Sequence, residues 1–107
     1  MKTPIDCQLL NLGMSFVAGM KTNDFDSVSK LIANEDCLKT AKSLIENATY
    51  KSLLLNFCTI HAIVEDIDRP KVFLQFLKNE KEKFSQTLIC LIKEDVINIQ
   101  VMTCTFT

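Results

Sequence analysis

The feature that most constrains the fold is a change in apolar spacing near Asn56. Before this residue the apolar side chains recur every three or four positions, which places them on one face of a helix. From Thr59 to Thr107 the chain reads instead as four extended segments joined by short charged turns. Helices first and an antiparallel meander second predict an α+β fold, with the N-terminal helices packed on a curved antiparallel sheet.

Size and charge exclude several classes of function. A chain of 107 residues is predicted to be a single domain, residues 1–107. Its formal net charge is −1 and its basic residues are not clustered, so nucleic-acid binding and binding to a charged membrane surface are not expected. No stretch approaches the roughly 20 apolar residues of a membrane span.

The sequence of the first half predicts two helices. The first should run from about Pro4 to about Lys21, because its apolar residues form one broad stripe. Asn23 or Asp24 can cap a second, shorter helix, which should end near Asn34.

The next region, residues 35–57, leaves two interpretations open. Its apolar residues fit a further helix, but part of Cys37–Ala41 could be a short edge strand. The run Leu53–Leu55 either ends a helix or begins the first long strand. Beyond this region four strands are predicted, at Cys58–Glu65, Lys71–Lys78, Phe84–Lys93 and Val96–Phe106.

Because side chains alternate along each strand, one face of the sheet is predicted to be apolar, and the helices are expected to pack on it. Gln86 is its one polar residue. The other members of this face are Ile60, Ala62, Val64, Val72, Leu74, Phe76, Phe84, Leu88, Cys90, Ile92, Ile97, Ile99 and Val101.

The outer face is predicted to be too apolar to be left in water. Contiguous apolar surface on a small protein usually indicates a partner site. The large hydrophobic residues on this face are Ile63, Phe73, Leu77, Ile89, Leu91 and Met102. The simplest partner is a second copy in a two-fold homodimer. The expected interface residues are His61, Phe73, Gln75, Leu77, Ile89, Leu91 and Met102.

The cysteines predict free thiols rather than a disulfide framework or a zinc site. Their number is five, and no CxxC pair occurs. We therefore expect a reducing, cytoplasmic environment, with the strand cysteines as small buried hydrophobic residues. No metal or other cofactor is expected, because the acidic turn Glu65–Asp68 lacks the glycine of a calcium loop.

Three stretches carry a resemblance when they are read together. They are Phe16–Asp36, in which a helix end is followed by Asn-Asp-Phe-Asp; Ile60–Asp66 before the strand Val72–Phe76; and the tight turn within Leu91–Ile99. This pattern resembles the nuclear transport factor 2-like superfamily, and the middle stretch resembles its SnoaL-like members.

The resemblance implies a cystatin-like α+β cone, with a pocket between the helices and the curved sheet. It also implies frequent dimers through the outer sheet face. Members range from hydratases, isomerases and cyclases to binding modules. The enzymes usually place an Asp/His or Tyr/Asp group inside the pocket, whereas the predicted inner face of this chain has no Asp, Glu or His.

Three residues are candidates for a site. Gln86 and Tyr50 could bind a ligand through their polar groups. His61 is predicted to face outward and becomes a catalytic acid–base candidate only if the strand register is shifted by one residue.

Three functions follow as hypotheses. The first is a non-catalytic homodimer that binds a small apolar ligand in the cavity between helices and sheet. The second is a SnoaL-like isomerase, hydratase or cyclase acting on a small hydrophobic substrate. The third is a protein–protein interaction module without a cavity. The presence of a pocket and the chemistry of its lining distinguish them.

Overall fold

Helices occupy the first half of the chain and strands the second, which confirms the α+β prediction. The structure is a computed structural model that describes residues 4–55, 57–77 and 83–106. Asn56, where the period was predicted to change, lies outside the described residues. The elements are α1 Ile5–Lys21, α2 Phe25–Ser29, α3 Glu35–Ile45, α4 Ala48–Leu55, β1 Phe57–Ile63, β2 Lys71–Leu77, β3 Lys83–Lys93 and β4 Val96–Phe106.

Short polar residues start the helices that follow α1. The Asp24 carboxylate accepts a hydrogen bond from the Ser27 N–H at 3.2 Å and so caps α2. Asn34 caps α3 by accepting from the N–H of Cys37 at 2.9 Å. Residues 35–55 are thus helical on both sides of a short connection at Asn47, so two helices occur where one was expected and the edge-strand alternative is wrong.

The second helix is shorter than predicted. It ends at Ser29 rather than near Asn34, because the chain that follows lies alongside β4. The Ala33 N–H donates to the Ile99 carbonyl at 2.8 Å, and the Ile99 N–H donates to the Leu31 carbonyl at 2.7 Å. These bonds cover part of the exposed edge of β4, an arrangement that protects an edge strand from pairing with other chains.

The strands form one antiparallel sheet in the order β1-β2-β3-β4, as the meander predicted. Its inner face packs against α1, whose residues Leu9, Phe16 and Met20 are fully buried. The buried apolar residues that the sheet contributes are Val72, Leu74, Phe76, Leu88, Cys90 and Ile99.

One irregularity in the sheet changes the faces of β4. Ile89 pairs with Val101, but the next residue, Cys90, pairs with Ile99. Gln100 is therefore an extra residue without a partner on β3, which is a β-bulge. Because an extra residue shifts the alternation by one, every side chain beyond it lies on the face opposite to the predicted one.

Three predicted positions are wrong for this reason. Cys104, predicted for the outer face, lies opposite Gln86 on the inner one. Met102 lies opposite Leu88 on the inner face and packs against the core, so it does not belong to the outer face. Val101, predicted to face inward, lies opposite Ile89 on the outer face and is 38% exposed.

Glycines allow α1 to lie close to its neighbours. A Cβ atom at Gly13 would lie 2.9 Å from the side chains of Ile60 and Val72. A Cβ atom at Gly19 would lie 2.6 Å from Val28 Cγ2. Side chains larger than hydrogen would push α1 away from the sheet at Gly13 and away from α2 at Gly19, so the helix is closely packed at these two positions.

Candidate ligand pocket

A pocket of about 310 Å³ lies between the junction of α3 and α4 and the adjoining end of the sheet. Asn47 connects the two helices and accepts a hydrogen bond from the Tyr50 N–H at 2.9 Å, which starts α4 over the sheet. The residues that line the pocket are Leu44, Asn47, Thr49, Tyr50, Leu53, Phe76, Phe84, Ser85 and Cys104. Its volume is at the lower end of the range for small-molecule sites.

The lining is mostly apolar. Large hydrophobic side chains from α3, α4, β2 and β3 form the wall, and short polar side chains supply hydroxyl and amide groups. A second depression of about 300 Å³ shares Thr49, Leu53 and Phe84 with the pocket, so the groove continues along α4. Among the described lining residues there is no carboxylate, imidazole, amine or guanidinium group.

Two predicted ligand-binding residues meet at this pocket. The Tyr50 hydroxyl donates a hydrogen bond to Gln86 Oε1 at 2.5 Å. Tyr50 forms part of the pocket wall, and its ring meets Phe76 edge-on with the ring centroids 6.2 Å apart. Gln86 is 1% exposed and pairs across the strands with Cys104, so it lies behind the wall. Their role in ligand binding stays a prediction.

The other end of the Gln86 amide has no partner among the described residues. Its Nε2 atom is buried and makes no hydrogen bond, although an amide nitrogen carries two hydrogens. Buried polar groups are paired in the great majority of cases, since an unpaired one costs about 1–3 kcal/mol. Gln86 is therefore the least satisfied polar group described in the inner layer.

Burial keeps the polar groups of the pocket protonated. It raises the pKa of the Tyr50 hydroxyl well above its usual range, and the nearby Cys104 thiol adds to the rise while the hydrogen bond with Gln86 opposes it. Partial desolvation also raises the pKa of the Cys104 thiol. Near neutral pH these groups can donate hydrogen bonds, but neither serves as a base.

His61 lies on the outer face, as the strand alternation predicted. It is exposed and pairs with Phe73 on β2, with the ring centroids 6.1 Å apart. The register has no shift at this position, so the condition under which His61 would enter the pocket as an acid–base group is not met.

Most of the predicted outer-face residues do lie together. Phe73, Gln75 and Ile89 are half-buried there, and Leu91 is 37% exposed. The side chain of Leu77 lies outside the described part of the chain. We define the outer apolar patch as Ile63, Phe73, Ile89, Leu91 and Val101, in which Val101 takes the place predicted for Met102. Lys71 lies between Ile63 and Ile89 on the same face and interrupts the patch.

The thiols only partly follow the prediction. Cys37 and Cys90 are buried, whereas Cys7 on α1 and Cys104 at the pocket are exposed, and these four cysteines are free. The place of Cys104 at the pocket was not predicted from the sequence. The bulge at Gln100 is the reason, because it turns the Cys104 side chain to the inner face.

The described residues contain no group of three or more His, Cys, Asp or Glu side chains placed to hold a metal ion. Within the same residues no helix combines the length and the apolarity needed to cross a membrane.

Comparison with known proteins finds no matching family model, no matching curated protein and no matching solved structure. The resemblance to the nuclear transport factor 2-like superfamily therefore stays a hypothesis, and function has to be inferred from the pocket and the sheet faces themselves.

Proposed function

We propose that this chain is a non-catalytic domain that binds a small, largely apolar ligand in the pocket under α4. The observation that carries the proposal is the pocket of about 310 Å³ with its apolar wall of Leu44, Leu53, Phe76 and Phe84. Such a wall favours an apolar occupant because its contacts release water from both surfaces. The volume equals that of about ten water molecules in the liquid, so the occupant has on the order of ten heavy atoms.

The lining favours binding over the SnoaL-like isomerase, hydratase or cyclase reaction. Those reactions require a group that takes or gives a proton near neutral pH. The described lining has no side chain of that kind, and burial raises the pKa of Tyr50 away from neutrality. The pocket likewise favours ligand binding over an interaction module without a cavity.

The nuclear transport factor 2-like cone is part of the same proposal. Helices cover one face of the four-stranded meander. Bulges at Cys58 and Gln100 increase the local bend and twist of the sheet, as the wall of a cone requires.

Alkylation of cysteine tests the ligand proposal directly. Cys104 lines the pocket, whereas Cys7 is exposed on α1 and is not among the lining residues, so it serves as an internal reference. Iodoacetamide is added at mildly alkaline pH, and the modified fraction of each cysteine is read by peptide mass mapping. We expect isopropylbenzene to slow the reaction of Cys104 in a saturable manner and to leave Cys7 unchanged.

A blocked variant sharpens the test. Thr49 is an exposed residue at the pocket, and Thr49→Trp places a large ring across it with little risk to the fold. Met14→Trp, at a position that is 60% exposed on α1, is the matched control. Isopropylbenzene should protect Cys104 in the control but not in Thr49→Trp. Absence of saturable protection in the unmodified protein would refute the ligand proposal.

The outer apolar patch supports a homodimer as the assembly of this domain. Its five large hydrophobic residues lie on neighbouring strands of one face, where a second copy can place the same residues against them. Light scattering at micromolar concentration should give twice the mass of the chain, and Phe73→Lys should give the single mass. Met14→Lys is the control, and a monomeric mass for the unmodified protein would contradict the dimer.

A further inference from the structure

One charged residue, Lys71, lies among the hydrophobic residues of the outer apolar patch. It pairs with Ile63 on β1 and with Ile89 on β3, so all three share one row of the outer face. Lys71 is half-buried in the single chain, and its ammonium group makes no ion pair or hydrogen bond with any described residue. A second copy that covers the patch would also remove water from this group, and a buried cation then requires a negative partner.

Carboxylates that can meet this requirement lie beside the patch. A groove of about 320 Å³ on the outer face is lined by hydrophobic residues of the patch together with side chains of both charges. The residues that line it are Ile63, Glu65, Asp66, Arg69, Lys71 and Ile89. An apolar surface that carries both signs of charge can be complementary to a copy of itself, because a two-fold axis brings the cation of one copy to the carboxylate of the other.

Of the two acidic residues, Glu65 has the carboxylate that is free to pair. The Asp66 carboxylate accepts a hydrogen bond from the Asp68 N–H at 2.9 Å and so stabilises the turn after β1. Glu65 is exposed, and its carboxylate makes no ion pair or hydrogen bond with any described residue. Although Glu65 and Lys71 line the same groove, they do not pair within one chain.

We propose that Lys71 of each copy in the homodimer forms an ion pair with Glu65 of the other copy. The inference rests on the homodimer proposed above and names the contact that makes a second copy the specific partner of the patch. Two-fold symmetry forms this pair twice, since every contact between two different residues has a symmetric counterpart. The lysine also disfavours partners that are apolar alone, because they would leave its charge buried and unpaired.

Two charge-reversed variants test the pairing when they are studied separately and mixed. Lys71→Glu places carboxylates against each other, and Glu65→Lys places ammonium groups against each other, twice in each dimer. Each variant alone should raise the dimer dissociation constant by about 100-fold. In an equal mixture, the heterodimer has one reversed pair and one unchanged pair, both of opposite charges, so its dissociation constant should return to within about tenfold of the unmodified value.

The measurement combines light scattering with native mass spectrometry, with one variant of the mixture labelled with ¹⁵N so that heterodimers are distinguished by mass. Lys39→Glu and Glu46→Lys are the matched controls, because they make the same changes of charge at exposed positions outside the groove. Each control should dimerise as the unmodified protein does, and their mixture should form heterodimers only in the statistical proportion. An equal preference for heterodimers in the two mixtures would overturn the inference.

Substitutions that remove charge provide a second test if Lys71→Glu fails to fold. Lys71→Met and Glu65→Gln are made separately and together, and the dimer dissociation constant of each protein is measured. If the two residues pair, the combined variant should dimerise about tenfold more tightly than the sum of the two separate effects predicts. Additive effects would contradict the pairing.

The outcomes separate the two proposals. If Phe73→Lys dissociates the dimer but neither charge-reversed variant weakens it, the ion pair is wrong and the homodimer through the patch stands. The ion pair is also wrong if both variants weaken the dimer and the mixture does not recover. If the unmodified protein is a monomer, a second copy does not cover the patch and both proposals fail.

Discussion

The interface that α1 makes with the sheet differs from the one that α4 makes with it. Under α1, Gly13 allows the helix to approach so closely that an added methyl group would meet Ile60 and Val72 at 2.9 Å. Phe16 and Met20 of the same helix are fully buried. Packing of this density leaves little free volume for a ligand.

Under α4 the packing is incomplete. Phe84 is only half-buried, a pocket of about 310 Å³ separates the helix from the end of the sheet, and Gln86 leaves a buried donor unpaired. The α1 interface thus stabilises the fold, and the α4 interface is where binding can occur. The comparison shows why stability and function are expected to respond to different residues in this domain.

The largest expected effect is a difference in the free energy of unfolding between variants of the α1 interface and variants of the α4 interface. Phe16→Ala should lower the free energy of unfolding by about 3–5 kcal/mol, because it leaves a cavity in a fully buried region. Phe84→Ala should cost less than about 2 kcal/mol, since that side chain already borders a pocket. Urea denaturation measures both values. Equal losses for the two variants would contradict the comparison.

Adding one methyl group to a glycine of α1 should also show that this interface is closely packed. Ala normally stabilises a helix interior by up to about 1 kcal/mol relative to Gly. At Gly19, however, the added Cβ would lie 2.6 Å from Val28 Cγ2, so Gly19→Ala should destabilise the protein by about 1–2 kcal/mol. Asn11→Ala, at an exposed position of α1, is the control and should not destabilise it. Thermal denaturation of both variants suffices, and a stabilised Gly19→Ala protein would show that α1 is not closely packed.

Asn34 makes one local and one long-range hydrogen bond, and two variants can separate their contributions to stability. Asn34 accepts from the Cys37 N–H at 2.9 Å and donates to the Gln100 carbonyl at 3.0 Å. Asn34→Ala should cost about 1–2 kcal/mol, whereas Asn34→Asp keeps the cap and should cost less. If the two variants are equally destabilised in urea, the bond to Gln100 rather than the cap carries the effect.

The smallest expected effect is on pH dependence. The pKa of Tyr50 is raised by burial, so the folded state binds its proton more tightly than the unfolded state does. The contribution of Tyr50 to stability is therefore fully present below its unfolded pKa of about 10 and is lost as the pH rises towards the folded pKa. The buried thiols of Cys37 and Cys90, whose pKa values burial raises to about 11 and about 12, act in the same direction.

Absorbance at the tyrosinate wavelength measures this directly, because the chain has one tyrosine and no tryptophan. The native protein should titrate at a higher pH than the protein in denaturant. Coincident titration curves would mean that Tyr50 is in contact with water and that the α4 interface is more open than described.

Much of the architecture depends on residues that are neighbours in sequence, and the sequence predicted it. The start and end of α1, the Asp24 cap and the full extent of β4 agree with the spacing of apolar residues and the turn residues between them. The same spacing predicted that Gln86 would be the polar residue of the inner face and that His61 would lie outside. These features follow from side-chain alternation, which is a property of each strand by itself.

The end of α2, the bulge at Gln100 and the pocket could be decided only by the tertiary structure. Leu31 and Ala33 leave the helix because hydrogen bonds to Ile99 are available, and these partners are far apart in the chain. The bulge exchanges Val101 and Met102 between the faces, and no local pattern marks it. The sequence by itself therefore determined which elements form, while the pairing of distant backbone groups decided where packing ends and the pocket begins.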